Sequence, residues 1–237
     1  MEELDLARLT PEATPAALAE WQRAHEPGAQ LDVHGRWFAP MPFAVVAHGA
    51  GTSVVSETEG LGLAKWQLRR EPTLADLVAP LLRVLVVGLN PSVVAAESRV
   101  PFVGASNRFW PAALDAGLVR VDRDPWRAFV DAHVGFTDLV KRASPRADGL
   151  TREEYAEGAT RLRAVVEWLQ PAVVCFAGLT GYRKAVDPDA TEGSQPTRFG
   201  DAATYVMPNP SGANAHASRD DLVAHLTAVR DLADPAS

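Results

Sequence analysis

From residue 81 onward the chain alternates short unbroken apolar runs with longer stretches in which apolar residues recur every three or four positions. In "LLRVLVVGLNPS" (81–92), Val84 to Val87 is apolar throughout, the pattern of a strand buried on both faces, and Gly88 and Pro91 end it. "NRFWPAALDAGL" (107–118) and "DPWRAFVDAHV" (124–134) follow as short helical segments. Thr151 and Glu154 have the spacing of a capping box, and behind them Tyr155, Ala159, Leu162, Val166 and Leu169 recur at helical intervals, so 151–169 is an amphipathic helix. Pro171 closes it. "AVVCFAG" (172–178) is a second buried strand and "LTGYRKAV" (179–186) a short helix. "ATYVMPNPSG" (203–212) is a third strand that ends, like the first, in Asn-Pro-Ser. In "SRDDLVAHLTAVRDLA" (218–233), Ser218 caps a last helix with Leu222, Leu226 and Val229 on one face. Strands alternating with helices predict an α/β fold: three αβα layers around a mainly parallel sheet.

The first 76 residues read differently, as a small extension of mixed structure. "TPEATPAALAEWQRAHEPG" (10–28) predicts a short helix around Leu18 and Trp21. "GRWFAPMPFAVVAHGAGTSVVSETEG" (35–60), rich in turn residues and β-branched runs, predicts a hairpin or meander.

Composition narrows the function classes. The longest apolar run falls short of the roughly 18 residues of a membrane span. The acidic N-terminus lacks the features of a secretory signal, which places the expected protein in the cytoplasm without a membrane partner. A single cysteine, Cys175, excludes an internal disulfide or multi-cysteine zinc site, and its apolar setting makes it a core side chain. His25, His34 and His48 have no metal-ligand spacing. The formal charge of −7 lowers the expectation of a nucleic-acid partner, but most of it lies in the first 80 residues, so a local basic face stays open.

Ligands of parallel α/β sheets bind beyond the carboxyl ends of the strands, where Asn90 and Asn209 both fall. One Asn-Pro turn is only a turn signal; two at strand ends of one sheet are a candidate site. Between them, Phe102 in "PFVGASNRFW" (101–110) follows a proline in a loop and either stacks on a planar ligand or packs into the core. No G-x-S-x-G, P-loop, G-x-G-x-x-G, H-E-x-x-H or zinc-deaminase pattern occurs.

In this order and separation, "GLNPS" (88–92), "PFVGASNRFW" (101–110) and "MPNPSGANAHAS" (207–218) resemble the mismatch-specific uracil/thymine DNA glycosylases of the uracil-DNA glycosylase superfamily. The resemblance spans about residues 77–232 and includes "GFTDLV" (135–140). It implies a catalytic domain over 77–237, with residues 1–76 an extension of unassigned role. It also implies a monomeric, monofunctional enzyme of base excision repair that excises uracil, or other mispaired or damaged pyrimidines, from double-stranded DNA by base flipping and hydrolysis. No metal or cofactor is implied. By this resemblance Asn90 positions the attacking water; Leu89, Ser92 and Phe102 hold the flipped base, with the Phe102 ring stacked on it. Asn209, Ser211 and Gly212 contact the DNA backbone, and Ala213, Asn214 and His216 fill or flank the vacated stack. Two positions depart from the family pattern: Ser92 replaces a glycine, and Ala213–His216 replaces a bulky wedge followed by a basic residue. The rival expectations are a catalytically weak protein that binds lesions or abasic sites, and a hydrolase of free nucleosides.

Overall fold

The computed structural model describes residues 2–60, 62–214 and 217–234. Two sheets organise them. The first has the order β1-β2-β4-β3, built from β1 (Glu2–Asp5), β2 (Gln30–Gly35), β3 (Thr52–Gly60) and β4 (Leu63–Arg70). The second has the order β6-β5-β7-β9-β8, from β5 (Val84–Gly88), β6 (Val134–Asp138), β7 (Val173–Ala177), β8 (Gly193–Ser194) and β9 (Ala203–Met207). All its pairings are parallel except that of the two-residue edge strand β8.

Alternation along each strand of the second sheet feeds two apolar layers. Val84 and Val86 join Val173, Cys175 and Met207 against α4 (Phe109–Asp115), α5 (Pro125–Ala132) and α8 (Arg219–Ala233). Leu85 and Val87 join Val174, Phe176 and Val206 against α6 (Arg152–Leu169) and α7 (Leu179–Ala185). That is the three-layer α/β arrangement expected from the strand and helix periodicities. The capping boxes of α6 (Thr151 with Glu154) and α8 (Ser218 with Asp221) are both formed.

The first sheet is not walled off. Its Leu31, Val33, Trp66 and Leu68 share the α6-side cluster with Leu85 and Val87. Alongside it lie α1 (Thr14–Ala24), the helix expected around Leu18, and α2 (Phe43–Gly49). The meander expected over 35–60 is only half right: β3 forms a hairpin with β4, but 43–49 is helical. Phe43, Val46 and Ala47 bury together at three- and four-residue spacing, so tertiary burial outweighs the β-preference of the valines. Strand β6 was not expected as an element, because Gly135, Thr137 and Asp138 interrupt its apolar run. It brings the last of these to the carboxyl edge of the sheet, beside Gly88 of β5.

Candidate active site

Beyond the carboxyl ends of β5 and β6 lies a cavity of about 390 Å³, within the size range of small-ligand sites. Its wall includes Leu89, Asn90 and Ser92 of the first turn, Phe102, Asp138, and Asn209, Ser211 and Ala213 of the second turn. The structure thus gathers residues separated by more than 120 positions of sequence around one space.

Asn90 is half-buried and held through its amide nitrogen. Nδ2 faces three acceptors: the carbonyls of Pro91 at 3.1 Å and Arg142 at 3.0 Å, and Ser144 Oγ at 2.8 Å. Exchanging the amide's nitrogen and oxygen would set oxygen against two carbonyls, so the hydrogen-bond network fixes its orientation. Among the described residues none donates to Oδ1, which is left as an acceptor. Loop 142–146 is itself fastened to the turn by Ser144 N–H donating to the Pro91 carbonyl at 3.0 Å.

Leu89 continues the turn, its carbonyl accepting from Val140 N–H at 2.9 Å. Ser92 is exposed at the rim, and its Oγ accepts from Ala95 N–H at 3.1 Å as the N-cap of α3 (Val93–Ser98). The Ser92 hydroxyl therefore has a local structural task.

Asp138 is the cavity residue that the motifs did not single out. Its side chain is buried, and no described side chain donates to its carboxyl oxygens. Burial pushes its pKa up to about 6, and the nearby Asp76 charge adds to this, while Lys141 and Arg161 pull it down. A Cβ at Gly88 would run into this carboxyl, so the glycine of the first motif makes room for it. Below it, Asp76 binds Lys141 Nζ at 2.7 Å, Arg161 Nη1 at 2.5 Å and Thr137 Oγ1 at 2.6 Å. Burial alone would raise the Asp76 pKa; the two cations and the donated hydrogen bonds together hold it below its ordinary value. Arg161 Nη2 also donates to the Asp138 carbonyl at 2.6 Å, and Thr73 Oγ1 to the Lys141 carbonyl. The network thereby fixes the strand end that carries Asp138 and the start of the loop that holds Asn90.

Phe102 is half-buried, stacked on Phe109 with ring centroids 4.5 Å apart and planes inclined by 28°. Its φ of 57° lies in the left-handed region, uncommon for a bulky residue. It both packs on the core and lines the cavity, so the two expectations for this ring are compatible.

In the second turn, Asn209 is exposed and uses its amide the other way round: Oδ1 accepts from Ser211 N–H at 3.0 Å, closing an Asx turn. Asn214 turns its amide inward, Nδ2 donating to the Asn209 carbonyl at 3.0 Å. Gly212 packs against Ser106, where any side chain would collide, and the exposed Ala213 stands at the rim. Arg108, also not foreseen, gathers this loop: its guanidinium donates to the carbonyls of Ser211 at 3.1 Å, Asn214 at 2.8 Å, and Ala217. His216 lies outside the described residues.

Both Asn-Pro-Ser turns and the ring between them thus face one cavity. A sequence model of the Uracil DNA glycosylase superfamily matches residues 75–233, two thirds of the chain. The chain belongs to this superfamily. It is also similar to the solution NMR structure of a candidate uracil DNA glycosylase from Methanosarcina acetivorans, at 16% identity and a TM-score of 0.46, over 68% of this chain and 96% of that one. Members of the superfamily being DNA glycosylases, this chain is assigned to that class of hydrolase and DNA to it as partner.

Proposed function

We propose that this glycosylase excises uracil, and other mispaired or damaged pyrimidines, from double-stranded DNA by flipping the base into the cavity and hydrolysing its N-glycosidic bond. The observation that carries the reading is the fixed amide of Asn90, whose Oδ1 is left as an acceptor at the mouth of a cavity lined by an aromatic ring. An amide oxygen can orient a water but is a weak base, so the rate must come largely from stabilising the departing pyrimidine anion. Phe102 offers the base a stacking face, worth about 1–3 kcal/mol in related contacts. Asp138, one strand register deeper than the turn that carries Asn90, meets the far edge of the base. In its protonated form it offers both a donor and an acceptor to that edge, and in its ionised form it opposes an anionic leaving group.

In the second turn the outward amide nitrogen of Asn209 is a donor for a DNA phosphate or sugar oxygen. Ala213, at the position of the family's wedge, is too small to fill a vacated stack. Extrusion then depends on how loosely the target base is held, so uracil opposite guanine is released faster than uracil opposite adenine. The same dependence makes this a mismatch-specific enzyme within the superfamily.

The deciding experiment is single-turnover excision from duplexes carrying uracil or thymine opposite each of the four bases. Release from the G·U duplex ahead of A·U, with the gap narrowed by Ala213→Leu, supports the reading. Tight duplex binding without release of any base would replace it with a lesion-binding protein.

A further inference from the structure

The family match begins at residue 75, yet Leu74, just before it, lines the cavity. The loop that carries Phe102 has two residues in the left-handed region, Arg99 at φ 60° and Phe102 at φ 57°. A non-glycine loop so shaped keeps its conformation only where its surroundings over-determine it. On the core side the anchors are the Pro101 carbonyl, which accepts from Trp110 Nε1 at 2.7 Å, and the stacking of Phe102 on Phe109.

On the other side the anchor comes from the residues that directly follow α1. Arg99 Nη2 donates to the His25 carbonyl at 3.0 Å and to Glu26 Oε1 at 2.6 Å. A cavity of about 20 Å³ remains between α1 and Pro101, beside the apolar cluster that Ala19 shares with Val100 and Phe102, so the hydrogen bonds of Arg99 add to packing at this junction. Arg99 Nε is buried with no partner among the described residues, which leaves Nη2 to make the attachment. Helix α1 is in turn tied down: Gln22 Nε2 donates to the Thr73 carbonyl at 2.7 Å, and Arg70 Nε to the Gln22 carbonyl at 2.9 Å. The chain of contacts runs from the first sheet through α1 and Arg99 to the ring.

We propose that the N-terminal 76 residues are a working part of the site, in which the end of α1 acts through Arg99, as a positioning residue, to hold Phe102 where a flipped base stacks. The proposal rests on the glycosylase reading for its functional consequence, but the clamp itself can be observed without any activity.

The test compares Arg99→Ala and Glu26→Ala in the full chain. The Glu26 side chain is 84% exposed, so its removal spares the fold even if the Arg99 variant is damaged. Hydrogen exchange at the Val100 amide, bonded to the Ala95 carbonyl, and at the Trp110 indole N–H, bonded to the Pro101 carbonyl, should quicken in both variants, while the thermal transition of the Glu26 variant stays in place. Excision from a G·U duplex should fall about tenfold for Arg99→Ala, the loss of roughly one charge-assisted hydrogen bond, and less for Glu26→Ala. In a Phe102→Ala background the Arg99 substitution should have no further effect, because the ring it positions is gone. Unchanged exchange in the loop overturns the clamp. Equal losses with and without the Phe102 ring overturn its action through that ring. A wild-type protein that releases no base refutes the glycosylase reading instead, and the exchange measurement still decides the clamp.

Discussion

The two Asn-Pro-Ser turns are identical in sequence at their centre and opposite in use. Asn90 commits its amide nitrogen to the protein and leaves its oxygen as an acceptor; Asn209 commits its oxygen to Ser211 and turns its nitrogen outward. Their supports differ as well. The first turn rests on loop 142–146 and, beneath it, the buried Asp76–Lys141–Arg161 network; the second is held by the partly exposed Arg108, through its guanidinium and its backbone N–H, and by the Asn214 amide. A rigid acceptor suits the orientation of a nucleophilic water, and a more exposed donor suits contact with a DNA backbone. The motif alone therefore does not say which atom each amide offers: the hydrogen bonds that surround it decide that.

The sharpest way to break this asymmetry is to remove the foundation of the first turn. Asp76→Ala strands two buried cations, and the loss of one partner from a buried ion network costs about 3–5 kcal/mol. Denaturant unfolding should show that loss, and the Asp76→Ala protein should lose excision before duplex binding.

The carboxyl at the cavity floor makes the next largest difference. Its pKa in the folded state, about 6, lies above the unfolded value of 3.8. The folded state therefore binds the proton more tightly, a stabilisation that is fully present below the unfolded value and lost as pH rises through about 6. Asp138→Asn removes this titration. At pH 8 it should be more stable than wild type by up to about 3 kcal/mol, taking two pH units at 1.36 kcal/mol each. Below pH 4 the two should unfold together. Thermal unfolding across that range checks it, and a gap that does not close in acid would show that the carboxyl is not protonated there.

A smaller effect is expected at the second turn. Arg108→Ala releases three carbonyls of a half-exposed loop, a cost of about 2 kcal/mol. The loss should appear in duplex affinity, with the rate at saturating enzyme little changed. If the rate falls as far as the affinity, the second turn takes part in the chemistry and the asymmetry is wrong.

The sheet and the helices around it were legible because each carries a local pattern: unbroken apolar runs, capping boxes, and apolar residues at helical spacing. Asn90, Phe102 and Asn209 could be found for a similar reason, each lying in a short motif next to a strand or helix boundary. Asp138 was not, since Gly135 and two polar residues disguise its strand as loop. The Asp76 network has no local signature at all, because its partners lie 61 to 85 positions away. Helix α2 was misread because burial of Phe43 and Val46, invisible from propensity, sets its conformation. Arg108 stood in plain view beside the aromatic pair, but nothing in its neighbours indicates that three carbonyls of a distant loop converge on it.

The central claim, that the two asparagines divide chemistry and binding between them, is tested most directly by comparing Asn90→Ala with Asn209→Asp on one G·U duplex. For each, the single-turnover rate at saturating enzyme and the Kd for the duplex are measured. Asp at 209 keeps an oxygen for the Ser211 N–H but loses the outward donor and adds a charge. Asn90→Ala should slow excision on the order of 10²-fold with Kd nearly unchanged. Asn209→Asp should weaken binding about tenfold, the loss of one donor to the DNA backbone, with the saturated rate preserved. A full excision rate in Asn90→Ala, or a collapse of the saturated rate in Asn209→Asp, would contradict it.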